Sequence, residues 1–199
     1  MSESIFTREG YIRPAVLIAA YRGAMFPMAV DSRGEIGWFS PDPRGIIPLD
    51  GLHIPHGLKR ALRKDPFEIR YDTAFPEVMD GCAERRTTWI SPEIKRSYVK
   101  LFELGYAHSV ECWEDDELVG GLYGVSIGGA FFGESMFSRR ADASKIALVK
   151  LVDRLNQKGF ELLDTQWSTQ HLATLGCIDI SRCEYVSRLN KALLLKVKF

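Results

Sequence analysis

Leu118-Val119-Gly120-Gly121-Leu122-Tyr123-Gly124-Val125-Ser126-Ile127 and Ala130-Phe131-Phe132-Gly133-Glu134-Ser135-Met136-Phe137 are two strand-like runs separated only by Gly128-Gly129. Aliphatic and aromatic side chains dominate both, and a glycine pair supplies the backbone freedom of a tight turn, so the spacing predicts a β-hairpin. Within the second run Glu134 stands among Phe131, Phe132, Met136 and Phe137. A carboxylate left unpaired in such a strand is costly, so it needs a structural partner or a ligand.

The order of elements after the hairpin sets the fold class. Asp142 reads as the cap of a long helix whose face is Leu148, Leu151, Val152 and Leu155 and which stops near Gly159. A short strand, Phe160–Thr165, follows, and Ser168 begins another helix that ends at Gly176. Strand, strand, helix, strand, helix is an α+β order. Before the hairpin, Ser91-Pro92-Glu93 is a strong helix start, with Ile94, Tyr98, Leu101 and Phe102 at helical spacing and Gly105 as a stop.

The first ninety residues are dense in proline and turn chemistry, which predicts short strands and loops around one or two small helices. The clearest helix runs from about His56 to Lys64, with Leu58, Ala61 and Leu62 on one side and Lys59, Arg60, Arg63 and Lys64 on the other. A second follows Pro76, through Val78 and Cys82.

The 199 residues are 46% hydrophobic and 26% charged, an ordinary globular balance. Basic and acidic residues number 26 each, so any nucleic-acid contact must come from local clustering such as residues 59–64. Cys82, Cys112, Cys177 and Cys183 form no C-x-x-C pair, and His53 and His56 have no cysteine near them in sequence, so no metal site is expected. The opening MSESIFTREGYIRP has no long apolar stretch, and no apolar run approaches the ~20 residues of a membrane span. A cytoplasmic protein without membrane or DNA partners is the expectation.

Several strings carry a more specific signal: Tyr21-Arg22-Gly23 with Phe26-Pro27, Trp38-Phe39-Ser40-Pro41-Asp42-Pro43-Arg44, Thr88-Trp89-Ile90 and Ala107-His108-Ser109-Val110-Glu111. After them come Leu118–Val125, Phe132–Ser138, Ala143-Ser144-Lys145, Leu163-Asp164-Thr165-Gln166 and Leu175-Gly176. In this order the chain, from about Ala20 to Leu189, closely resembles the bacterial leucyl/phenylalanyl-tRNA–protein transferases. The resemblance implies a small N-terminal mixed domain, residues 1–50, packed on an N-acetyltransferase-like (GNAT-like) domain, residues 51–199. N-acetyltransferases bind coenzyme A through a glycine-rich turn before the central helix. Here that place is Phe137-Ser138-Arg139-Arg140-Ala141-Asp142, without glycine, so coenzyme A is not the expected donor.

The implied reaction is attack by a protein's N-terminal amine on the ester of an aminoacyl-tRNA carrying Leu, Phe or Met. The acceptors would begin with Arg or Lys. The ester is already activated, so no metal, ATP or other cofactor is expected. Strand alternation puts Asp164 and Gln166 on one face, Asp164 as orienting group or base and Gln166 as the contact to the nucleophile. By resemblance, Glu134 meets the α-ammonium of the donor, and Trp89 and Met28 hold the terminal adenosine. Leu122, Phe131, Leu148, Leu155 and Leu163 would wall the side-chain pocket, and Lys59, Arg60, Arg63 and Lys64 would meet tRNA phosphates. Rival readings are a coenzyme A-dependent acetyltransferase, a non-catalytic tRNA-binding module, and an aminoacyl-tRNA-dependent ligase of cell-wall synthesis.

Overall fold

Strands β6 (Glu117–Ile127) and β7 (Ala130–Ser138) form the expected hairpin, with Ile127 opposite Ala130 across the glycine turn. Gly128 sits at φ +58, and a Cβ there would lie 2.8 Å from the Ala192 carbonyl oxygen, so both the turn and its packing ask for glycine. The structure, a computed structural model, describes residues 5–31, 35–85 and 87–199. Residues 1–4 of the opening segment lie outside the described residues.

The chain runs α1 (Pro14–Arg22), β1 (Phe26–Ala29), β2 (Ile36–Phe39), β3 (Arg44–Ile47), α2 (His56–Lys64), β4 (Glu68–Tyr71) and α3 (Phe75–Ala83). Then come α4 (Pro92–Glu103), β5 (Ala107–Glu114), the β6–β7 hairpin, α5 (Ala143–Lys158), β8 (Leu162–Gln166), α6 (Gln170–Ala173), β9 (Ile178–Ile180) and α7 (Arg182–Ala192). Seven strands make one mixed sheet in the order β4-β5-β6-β7-β8-β3-β9, while β1 and β2 pair separately. Every neighbouring pair in the large sheet is antiparallel except β7 and β8, which α5 joins by a crossover. The protein is therefore α+β with a mixed sheet.

Each face of the sheet carries its own core. One contains Tyr21 of α1, Phe75 of α3, Tyr98 of α4, Tyr185 of α7 and Tyr123 and Phe132 of the hairpin. The other packs Leu148, Leu151 and Leu155 of α5 against Val110, Leu122, Phe131 and Leu163. Ile12, Leu17 and Tyr21 thus share a core with the large sheet. Residues 44–47, assigned above to the small N-terminal unit, are the strand between β8 and β3's other neighbour, β9.

Three local expectations change. Asp142 makes no side-chain cap: its backbone is left-handed (φ 62), and its carboxylate instead pairs with Lys145 at 2.8 Å. The Ser144 amide is satisfied by Ser138 Oγ. Helix α6 is capped by Thr169, which accepts from the Leu172 amide, while Ser168 donates to Asp179. Strand β8 is shifted toward the C-terminus and ends at Gln166, and that shift matters at the site.

Candidate active site

Between the hairpin, α5 and β8 lies a cavity of about 340 Å³, the lower end of the size expected for a small-ligand site. Its inner wall is aliphatic: Leu122 from β6, Leu148 and Leu151 one helical turn apart on α5, and Leu163 from β8. Phe26, Met28, Trp89 and Trp167 form a second, larger-ringed wall, with Trp167 edge-on to Phe26 at 5.1 Å. Polar groups enter through Glu134, Gln166, Arg85, His171 and Tyr123.

Glu134 is the centre of the polar wall. Tyr21 donates to its Oε1 at 2.7 Å, Tyr98 lies 3.2 Å from its Oε2, and Gln166 Nε2 donates to Oε1 at 3.2 Å. The two phenols also touch each other. Burial outweighs the hydrogen bonds from Tyr21 and Tyr98 and pushes the Glu134 carboxyl up to about 8. Two phenolic protons must serve three contacts, and a protonated Glu134 supplies the third. Near neutral pH this carboxyl is mostly neutral. Burial likewise raises the Tyr21 and Tyr98 phenols well above their ordinary range, so both stay protonated. The Tyr123 hydroxyl is buried with no hydrogen-bond partner among the described residues.

Asp164 forms an ion pair with Arg44. It is fully buried and does not line the cavity. Oδ1 accepts from Arg44 Nε at 2.9 Å and from the Gln166 amide at 2.8 Å. Oδ2 accepts from Arg44 Nη2 at 2.6 Å and from the Tyr185 hydroxyl at 2.8 Å. Those four bonds fill the roughly four acceptor positions of a carboxylate. Gln166 ends the strand with a left-handed backbone, φ 61, a conformation that costs a side-chain-bearing residue about 1–2 kcal/mol. The bond from its amide to Asp164 holds that turn and aims the Gln166 side chain into the cavity. With Nε2 committed to Glu134, the amide oxygen of Gln166 remains an available acceptor.

Arg44, on β3, completes this layer at 1% exposure. Burial works against its charge, but the hydrogen bonds and charge of Asp164 prevail and hold the guanidinium above its ordinary range. The guanidinium lies over the Phe26 and Tyr185 rings at 4.9 and 4.5 Å and donates to the Ala24 carbonyl at 3.2 Å.

Of the residues singled out in the sequence, the fold brings Met28, Trp89, Leu122, Glu134, Leu148, Leu163 and Gln166 to the cavity. Phe131 and Leu155 are corrected to plain core, both fully buried off the cavity. Phe131 packs on Phe199, with ring centroids 5.4 Å apart. Leu155 shares a helix face with Leu148 but stands two turns further on, about 10 Å along the axis. Lys59, Arg60, Arg63 and Lys64 are exposed on α2, and Arg60 and Lys64 line a separate cleft. Tyr21, Tyr98, Arg44 and Tyr185 were not assigned roles from sequence; Tyr21 and Arg44 lie in the quoted strings, which was the available signal. Among the described residues no cluster of His, Cys, Asp or Glu is arranged to hold a metal, and no helix is long and apolar enough to cross a membrane.

An apolar side-chain cavity ending in a carboxyl, an amide and phenols is built to hold an acyl group and orient a nucleophile, the work of an acyl-group transferase. Two family models divide the chain: the leucyl/phenylalanyl-tRNA protein transferase N-terminal domain over residues 10–42 and the leucyl/phenylalanyl-tRNA protein transferase over residues 46–190. The leucyl/phenylalanyl-tRNA–protein transferase of Akkermansia muciniphila is 54% identical over 186 residues, 92% of this chain and 96% of that protein. That of Gloeobacter violaceus is 52% identical over 188 residues, 94% and 97%. The chain belongs to the leucyl/phenylalanyl-tRNA–protein transferase family and is an aminoacyltransferase. Among solved structures, L-PGS from Bacillus licheniformis aligns with TM-score 0.43 at 13% identity over 66% of this chain and 49% of that one. The C-terminal domain of a putative lysylphosphatidylglycerol synthetase from Agrobacterium fabrum aligns with TM-score 0.43 at 15% identity, over 94% and 60%.

Proposed function

We propose that this protein moves leucine or phenylalanine, and methionine less readily, from aminoacyl-tRNA to the α-amino group of proteins beginning with arginine or lysine. Such acceptors would thereby be marked for degradation, in the cytoplasm where charged tRNA is made. The observation that carries the reading is the single cavity in which Leu122, Leu148, Leu151 and Leu163 face Glu134 and Gln166. The aliphatic wall suits an unbranched-at-Cβ apolar side chain, and Trp89 with Met28 suits the terminal adenine. The β6–β7 hairpin, α5 crossover and parallel β8 support an N-acetyltransferase-like core.

In this mechanism the donor's α-ammonium approaches Glu134, whose proton is released to solvent through the cavity mouth as the positive charge arrives. The acceptor amine donates one N–H to the Gln166 amide oxygen, which leaves its lone pair aimed at the ester carbonyl. The C–N bond forms, the C–O bond to the ribose breaks, and the ribose 2′-hydroxyl passes its proton to the departing 3′-oxygen while taking one from the attacking nitrogen. A free α-amine has a pKa of about 7.7–8.0, so orientation rather than a strong base is what the site must supply. Asp164, saturated by four donors, is a positioning residue for Gln166. The test is transfer of label from leucyl-tRNA to a protein with N-terminal arginine. Label on the acceptor's N-terminus supports the reading, and none with any of the three donors overturns it.

A further inference from the structure

Three depressions with shared walls lead from the cavity to α2. Arg85, Met136 and His171 border both the cavity and the first depression outside it. Ser138, Arg139, Ser144 and His171 continue into the next. Arg140, Ala141 and Asp142 join that one to a last cleft, whose far side is Arg60 and Lys64 of α2. Among the described residues the path is lined by six cations: Arg85, Arg139, Arg140, Lys145, Arg60 and Lys64.

Three acids face them. Arg139 pairs with Glu84, Arg140 with Glu114 and Lys145 with Asp142, each at 2.8 Å, the first two exposed and the third half-buried. Six cations against three acids leave an excess of three positive charges, in a chain whose total is zero. Among the described residues Arg85 has only neutral acceptors, Ser135 Oγ at 3.3 Å and the Met136 carbonyl at 2.7 Å. Exposed ion pairs contribute only ~0–1 kcal/mol, so a phosphate can replace a carboxylate at little cost.

We propose that this groove carries the unpaired 3′ end of the donor tRNA, its phosphates over Arg85, Arg139 and Arg140, and delivers the acceptor duplex to Arg60 and Lys64. The proposal rests on the aminoacyl-tRNA reading and adds a route to it. Contacts to phosphates alone are indifferent to base sequence, as a donor set spanning several tRNAs requires. It also divides helix α2. Arg60 and Lys64, four residues apart, face the groove, whereas Lys59 and Arg63 form a neighbouring strip that does not line it.

The experiment measures binding of whole deacylated tRNA, and of the same tRNA trimmed of its unpaired 3′ nucleotides, across a salt series. With whole tRNA, R139Q/R140Q should make the slope of log affinity against log salt shallower by about 1.4, at ~0.7 per single-strand phosphate. With trimmed tRNA that variant should match the wild type. R60Q/K64Q should reduce the slope by about 1.8 for both RNAs, at ~0.9 per duplex phosphate, and K59Q/R63Q should leave both slopes in place. Equal loss on both RNAs with R139Q/R140Q, or loss on neither, overturns the route. An effect of K59Q/R63Q as large as that of R60Q/K64Q overturns the division of α2. Failure of the wild type to transfer phenylalanine from 3′-O-phenylalanyl-adenosine, which ends at the cavity, would instead show the donor reading itself to be wrong.

Discussion

Arg44 and Asp164 meet in a two-point ion pair, 2.9 and 2.6 Å, with both side chains out of reach of solvent. Removing one member of such a pair strands the other charge, a loss of about 3–5 kcal/mol. Arg44→Gln should therefore lower the urea midpoint strongly and reduce transfer along with it, because the Gln166 turn loses its anchor. Asp164→Asn should do the same through loss of the anion. A variant of either kind with wild-type stability would mean that the pair is not buried in the working protein.

Gln166→Ala separates chemistry from folding. The Gln166 side chain reaches the cavity, and its one side-chain hydrogen bond among the described residues is to Glu134, so its removal should leave the melting midpoint within about 1 kcal/mol equivalent of wild type. Single-turnover transfer should nevertheless fall by ~10²-fold or more, the usual size of an orienting or proton-handling group. Near-normal transfer would remove Gln166 from the reaction.

Much of this fold could be read from local chemistry, and the losses have identifiable causes. The hairpin, α2, α3, α4 and α5 were legible because their turns, caps and apolar spacing are local. Helix α1 was missed although Pro14 stands at its start, because its face is short and mostly alanine, Leu17 and Tyr21. The pairing of β3 with β8 joins residues over a hundred positions apart and has no local signal. For the same reason Asp164 could be recognised as important but not as saturated: its partners Arg44 and Tyr185 come from β3 and α7.

Glu134 makes the stability of the protein depend on pH in an unusual direction for a carboxyl. Its folded value, about 8, lies above the unfolded value of ~4.3, so the native state binds the proton more tightly. Its contribution is complete below pH ~4 and is lost progressively as pH rises toward 8. Glu134→Gln, which stays neutral and keeps the shape, should lack this component. The measurement is unfolding by urea at several pH values between 5 and 8.5 for both proteins. The wild type should lose stability relative to the variant as pH rises, and parallel curves would contradict a raised Glu134.

Donor choice should follow the cavity wall, and two leucines on one helix face separate packing from selection. Leu148 lines the cavity at 3% exposure, whereas Leu155, at 0%, lies two turns deeper in the core. Leu155→Ala should cost about 2–5 kcal/mol of stability, the usual range for a buried leucine, and leave the ratio of phenylalanine to leucine transfer unchanged. Leu148→Ala should enlarge the cavity and raise that ratio, because the larger ring gains more from the added space. The change should fall within about 10–200-fold, since apolar pockets discriminate by only ~1–3 kcal/mol per methylene-sized difference. Isoleucine should remain the poorest donor in both, because its β-branch crowds the backbone end of the cavity beside Glu134 and Gln166. The assay is a competition between leucyl, phenylalanyl and isoleucyl groups on one tRNA body, so that only the side chain varies. A shifted ratio in Leu155→Ala with none in Leu148→Ala would place the side-chain pocket elsewhere, and equal use of isoleucine would refute selection by shape.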